Sequence, residues 1–158
     1  MQLDPVKIVV LVAGGYVLFL AVKVAMQDKN VQIDTTARTI WGEARGEGSQ
    51  GMQAVANVIQ NRVKQGGWWG ATFAEVCKKK SQFSCWNEGD PNHAKLLAVT
   101  MTDRDFVTAR AIATKAVSWT LPDITGGANH YHNKRTKPNW ADDSKITVTI
   151  GNHIFYKL

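Results

Sequence analysis

One stretch, Ala37–Val63 (ARTIWGEARGEGSQGMQAVANVIQNRV), constrains the fold more than any other. Ala37, Ile40, Trp41 and Ala44 recur at helical spacing and form an apolar stripe. Gly46 and Gly48 interrupt the run where a helix would end. Ser49 reads as the N-cap of a second helix, whose apolar face is Met52, Val55, Ala56, Ile59 and Val63. The stretch therefore predicts two helices joined by a short loop rich in Gly and Glu. At 100° per residue, Glu43 falls roughly 110° from the centre of the first stripe, on the border between core and cleft. A carboxyl at such a border can be partly desolvated, which raises its pKa and lets it hold a proton near neutral pH. A general acid for glycoside cleavage needs that property. The ordinary reading of a glutamate on a helix is a solvated surface residue. Glu47 lies one turn further on. If the helix ran through Gly46, the two carboxylates would face and repel each other. If it stops there, Glu47 organises the loop through backbone hydrogen bonds.

Upstream, Ile8 to Val22 is an unbroken apolar run flanked by Lys7 and Lys23, and it extends through Met26 if Lys23 snorkels. Ile8–Met26 would be about 28 Å long as a helix, near the thickness of a bilayer core. No convincing cleavage site follows it, which favours an uncleaved anchor over a cleaved signal peptide. A buried core helix is the alternative, although such a helix normally carries a polar face. Charge is nearly balanced across the segment and sets no orientation. Gln27 to Gln32 is polar and reads as a linker. The organisation predicted is an anchor and linker over residues 1–30 and a catalytic domain over residues 31–158.

The net charge of +6 favours anionic partners, such as nucleic acid, anionic lipid or an acidic polymer like peptidoglycan. Nucleic acid is disfavoured because the basic residues are scattered. The one dense cluster, Lys78-Lys79-Lys80, suits a solvated helix end. The two cysteines, Cys77 and Cys85, form no CxxC pair, so a structural zinc site is disfavoured. A short-loop disulfide and two buried free thiols remain equally open.

Further along, Asp34 or Thr35 is a candidate cap for the Trp41 helix. Trp68-Trp69 is a hydrophobic plug or a sugar-stacking platform, the plug being the commoner use of such rings. Thr72 caps a short helix, Phe73–Lys79. The irregular segment from Ser81 to Asn87 supplies amides, hydroxyls and rings, including Gln82 and Phe83, the groups with which a cleft binds sugars. His93–Thr100 reads as helical, and Asp103 or Thr102 opens a longer helix containing Phe106, Ala109, Ala113, Ala116 and Val117. Ala128 to Asn133 reads as a strand. Ile146 to Ile150 alternates with period two, Gly151-Asn152 is a hairpin turn, and His153 to Tyr156 returns. Helices first and a small antiparallel sheet last make an α+β pattern.

His130 and His132 lie two apart on a presumed strand, so they point to one face and could hold zinc if His153, His93 or a carboxylate joined them. No HExxH helix accompanies them, and a polar cleft rim is the favoured reading. No nucleophile elbow or P-loop is present.

The blocks quoted above also carry a resemblance. Trp41–Val63 is similar to the opening signature of the cell-wall hydrolase family typified by the spore-cortex-lytic enzymes SleB and CwlJ. Three further blocks fit in the same order. They are Phe73–Val76 running into Gln82–Ser84, Gly127–Asn133 with Pro138 and Trp140, and Ile150–Tyr156. The resemblance implies a mainly helical lysozyme-like domain with a small sheet around a glycan groove. It implies cleavage of peptidoglycan between N-acetylmuramic acid and N-acetylglucosamine, with Glu43 as the general acid and Glu47 as an auxiliary motif residue. Gln82, Phe83, His130, Tyr131 and Trp140 would line the groove, with no metal or cofactor. The sequence departs from the spore enzymes in lacking a separate wall-binding domain, in having His130 and His132, and in its N-terminal apolar run. That plan resembles a phage endolysin or a membrane-tethered wall hydrolase. The expectation is a monomeric lytic transglycosylase or muramidase acting in host lysis, held at the inner membrane facing the periplasm or released from it. The alternatives are a zinc-dependent amidase or peptidase using His130 and His132, and a non-catalytic wall-binding or virion protein.

Overall fold

A computed structural model describes the backbone from Gly15 and the side chains from Asp28 to the C-terminus. The anchor expected over Ile8–Met26 lies outside the residues whose side chains are described. Among the described residues no helix is long and apolar enough to cross a membrane. The chain forms helices α1 (Gly15–Ala44), α2 (Gly48–Gln65), α3 (Phe73–Lys78), α4 (His93–Ala98) and α5 (Arg104–Val117). Strands β1 (His130–Asn133), β2 (Ile146–Ile150) and β3 (His153–Tyr156) follow. The α+β pattern expected from the sequence is the one observed.

The expected stripe is the core. Ala37, Ile40, Trp41 and Ala44 of α1 are buried with Met52, Val55, Ala56 and Ile59 of α2, and α5 adds Phe106, Ala109, Ala113 and Ala116. α1 packs against α5, α2 and α3. The 27–32 segment is not a linker but part of α1, because nothing in QDKNVQ breaks a helix. Asp34 and Thr35 accordingly lie inside the helix and cap nothing. Asp34 instead pairs with Arg38 at 2.7 Å, one turn on. α1 ends at Ala44, and a short 3-10 turn, Arg45–Glu47, leads into α2. Ser49 is likewise not the cap: α2 begins one residue earlier, after Glu47, with no side-chain cap. The loop expected between the two helices is thus a single tight turn.

Capping by side chains appears further on. Thr72 and Glu75 form a reciprocal capping box on α3. Asp103 caps α5, and its Oδ1 accepts from both Phe106 N (2.9 Å) and Trp41 Nε1 (3.2 Å), tying α5 to α1. Cys77 and Cys85 are free and buried.

The sheet runs β1-β3-β2, antiparallel throughout. Tyr131 lies opposite Phe155 and Asn133 opposite His153, so these four share one face. That face packs on α2 through a second core of Ala54, Val58, Ala128 and Phe155. α2 is therefore buried on two sides. A register irregularity between Ile146 and Val148 corrects the expected alternation of β2: Val148 faces Phe155, whereas Ile146 is set opposite Tyr156 on the outer face and is 40% exposed. The strand also begins at His130, two residues later than expected, because the carbonyls of Ala128 and Asn129 turn to α2, while Asn129 N still donates to Tyr156 O at 2.9 Å. Asn61 Nδ2 donates to Ala128 O at 2.9 Å and Arg62 Nε to Asn129 O at 2.8 Å.

Candidate active site

The polar residues of α2 fix the approach to β1. Asn57 donates to Pro122 O and accepts from Ile124 N, both at 3.1 Å. With Asn61 and Arg62 they hold residues 122–129 along α2 and deliver Tyr131 to the last turn of α1. There the Tyr131 hydroxyl donates to Glu43 Oε2 at 2.9 Å. Burial first, and then the charge of Glu43, push the Tyr131 phenol well above its usual range, so it stays a donor.

Glu43 opens into a cleft of about 360 Å³ between the helices and the sheet. One wall carries Ser81, Gln82, Ser84 and Asn87; the other carries Tyr131, His132, Asn133 and His153; Arg62 closes the floor. Glu43 is the one carboxyl among the described residues that line it. A larger hollow of about 450 Å³, beside Phe73 and Trp119, contains none of the candidate residues. Arg62 is buried, with its guanidinium 4.3 Å from the centre of the Trp69 ring and 5.2 Å from that of Phe83. Desolvation lowers it to about 10, against the opposing pull of Tyr131, Cys77 and Glu43, so it stays cationic at neutral pH. Gly42 makes room for the wall: a Cβ there would meet Cys85 Cβ at 2.9 Å and Sγ at 3.1 Å. Burial, followed by the nearby Glu43 charge, pushes the Cys85 thiol up, so it is a neutral packing group.

Glu47 takes the second of its two expected roles, because the helix has stopped. Its Oε2 accepts from Asn152 N at 2.8 Å and its Oε1 from Asn152 Nδ2 at 3.1 Å. These bonds, the backbone one first, draw its pKa below 4.5. Glu47 thus clamps the β2–β3 turn to the end of α1 and does not line the cleft.

The structure brings Glu43, Gln82 and Tyr131 together around one cavity. Phe83 is 2% exposed and supports the cleft from beneath. His130 and Trp140 are elsewhere. They lie on the outer face of the sheet, their ring centres 5.2 Å apart, in an aromatic cluster with Trp69, His132 and Tyr156. Alternation along β1 explains this: placing Tyr131 inward turns the rings of His130 and His132 outward, although His132 still borders the cleft at its rim. Trp69 is buried as a plug, while Trp68 is 63% exposed. His130 and His132 do share a face, but His132 spends both ring nitrogens on Asn133 O and Tyr156 Oη. His153 is on the opposite face, and among the described residues no three ligating side chains converge. From the sequence, His153 stands out only as a candidate third zinc ligand. Its cleft position follows from the β1–β3 pairing, which sets it opposite Asn133 on the Tyr131 face.

A family model described as Cell Wall Hydrolase matches residues 46–156. The chain belongs to the cell wall hydrolase family. The match takes in Glu47 and both cleft strands and begins three residues after Glu43. Two solved structures resemble the fold. The catalytic domain of the Bacillus cereus SleB protein is 28% identical with a TM-score of 0.62, over 80% of this chain and 89% of that one. The catalytic domain of the germination-specific lytic transglycosylase SleB from Bacillus anthracis is 28% identical with a TM-score of 0.61, over 80% and 93%. These overlaps extend beyond the family match into α1. No curated protein sequence matches the chain.

Proposed function

We propose that this cell wall hydrolase cleaves the glycan strand of peptidoglycan between N-acetylmuramic acid and N-acetylglucosamine, as a lytic transglycosylase. The observation that carries the reading is a cleft with one carboxyl, Glu43, beside amide and hydroxyl side chains suited to sugars. A double-displacement or ordinary inverting glycosidase needs two carboxylates flanking the bond. With one, Glu43 gives its proton to the glycosidic oxygen as the bond to the anomeric carbon breaks. The C6 hydroxyl of the same muramic acid attacks that carbon and returns its proton to the Glu43 carboxylate. No water is consumed, and the product ends in an anhydro sugar. Tyr131 orients the carboxyl, and the Arg62 charge sits beneath it. The likeness to the Bacillus anthracis lytic transglycosylase supports the same outcome.

The apolar run Ile8–Met26 supports a place at the inner membrane, facing the periplasm, and a role in host lysis of the endolysin kind. α1 as described reaches into that run, to Gly15, and carries Glu43 without a break. Glu43 would stand about 25 Å along the helix from Met26, a rigid spacing rather than a flexible tether. Mass spectrometry of sugar ends released from purified peptidoglycan tests the chemistry. Anhydro ends support it, and reducing ends replace it with hydrolysis. Fractionation tests the placement. Full lytic activity in the membrane fraction shows that the tether suffices, and a wholly soluble protein argues against an anchor.

A further inference from the structure

His153 has no part in the scheme above, yet it is built into the cleft. It starts β3 directly after the Gly151-Asn152 turn, is 7% exposed, and lines the same cavity as Glu43. Its ring stands edge-on to Tyr131 at 5.1 Å and to Phe155 at 6.2 Å. These two rings, stacked on each other, hold the imidazole on the cleft face of the sheet. Its Nδ1 is buried and has no hydrogen-bond partner. Orphaned N–H groups are rarer in folded proteins than under-satisfied acceptors, so the bare lone pair belongs on Nδ1 and the proton on Nε2. Nε2 is not among the buried unpartnered atoms, and no hydrogen bond reaches it from the described residues, so it faces the cleft. Burial also draws the ring below its ordinary 6.5, against the pull of Glu47 on the turn and Glu43 on α1 and with His132 on β1 acting in the same direction, so it is neutral at pH 7.

A neutral Nε2–H is a donor and nothing else. Sugar hydroxyls both donate and accept, whereas the carbonyl of an acetamido group only accepts. Either can receive the Nε2–H, but a hydroxyl that does so must still place its own proton, whereas the carbonyl is satisfied by donors alone, so a donor-only group is the closer match to that carbonyl. We propose that His153 is a substrate-contacting specificity residue whose Nε2–H binds the N-acetyl carbonyl of the amino sugar seated beside Glu43. The proposal rests on the glycan-cleaving reading and names one feature of its substrate.

The test measures kcat/KM on peptidoglycan and on the same material chemically N-deacetylated, for the wild type, His153→Gln, His153→Asn and His153→Phe. A glutamine amide reaches the position of Nε2, and an asparagine amide reaches that of Nδ1. The expected result on acetylated substrate is a loss of roughly tenfold to a hundredfold for His153→Phe and His153→Asn, with His153→Gln within several-fold of wild type. On deacetylated substrate the wild type should fall to the level of His153→Phe, and the variant should fall little further. An equal loss by His153→Phe on both substrates, or rescue by Asn rather than Gln, overturns the proposal. Should the variants fail to fold, nitrogen chemical shifts of the wild-type imidazole decide it. A bare Nδ1 is expected, and an Nδ1–H tautomer overturns it. A wild type that releases no sugar ends defeats the functional reading itself, an outcome distinct from failure of the His153 comparison.

Discussion

Glu43 Oε2 receives the Tyr131 hydroxyl at 2.9 Å, and the phenol that donates it also stacks on Phe155. Tyr131→Phe keeps the stacking and removes the donor. It should lower kcat by roughly tenfold to a hundredfold with the melting temperature nearly unchanged, as steady-state kinetics and calorimetry on one preparation would show. The helical wheel placed Glu43 at the core edge, and the structure finds it half-buried there. Its partner was not legible, because the two are 88 residues apart and meet only when α2 has guided the 122–129 segment. His153 escaped for the same reason. His153 and His130 also predict how stability depends on pH. Burial holds both below 6.5 in the folded protein, with Arg62 adding to the effect at His130. The unfolded chain then binds protons near pH 6.5 that the folded one still excludes, so stability is lost as pH falls below that value. The melting temperature should drop between pH 7.5 and 5.5, and His153→Gln should flatten part of the drop.

Among the elements, the join between α1 and the β2–β3 hairpin depends most on single residues. Glu47 accepts two bonds from Asn152, and a Cβ at Gly151, whose φ is +57°, would run into Glu47 Oε2. Glu47→Ala should cost about 1 to 2 kcal/mol, the lower part of the range for charged hydrogen bonds because the pair is partly exposed. Gly151→Ala combines backbone strain with that clash and should cost at least as much. Denaturant unfolding of both variants checks this. Since Glu47 titrates below 4.5 in the folded state, its contribution is present above that pH and fades as pH drops further. Elements were legible where side chains define them. The Thr72 cap and the Gly151-Asn152 turn stand where the sequence put them, and of Asp103 and Thr102 it is Asp103 that caps α5. They were not legible where backbone and tertiary packing decide. The α1–α2 turn carries no side-chain cap, α1 runs through a polar segment with no breaker in it, and the irregularity near Thr147 turns Ile146 outward.

Across the whole molecule, α2 is the divider. One side closes the helical core and the other receives the sheet, so the cleft forms where the end of α1 meets the hairpin. The order of helices and strands was readable from hydrophobic period. The sidedness of the sheet was not, and it decides which aromatic residues line the cleft: Tyr131 faces Glu43, while His130 and Trp140 pack on the other face. A single carboxyl in this cavity is the basis for an anhydro product. Product analysis by mass spectrometry on purified peptidoglycan, comparing the wild type with Glu43→Gln, tests that claim most directly. The account predicts anhydro-muramic ends from the wild type and, from a variant that melts normally, roughly a hundredfold to ten-thousandfold fewer, the range that loss of a general acid removes. Ends released undiminished by Glu43→Gln would contradict it.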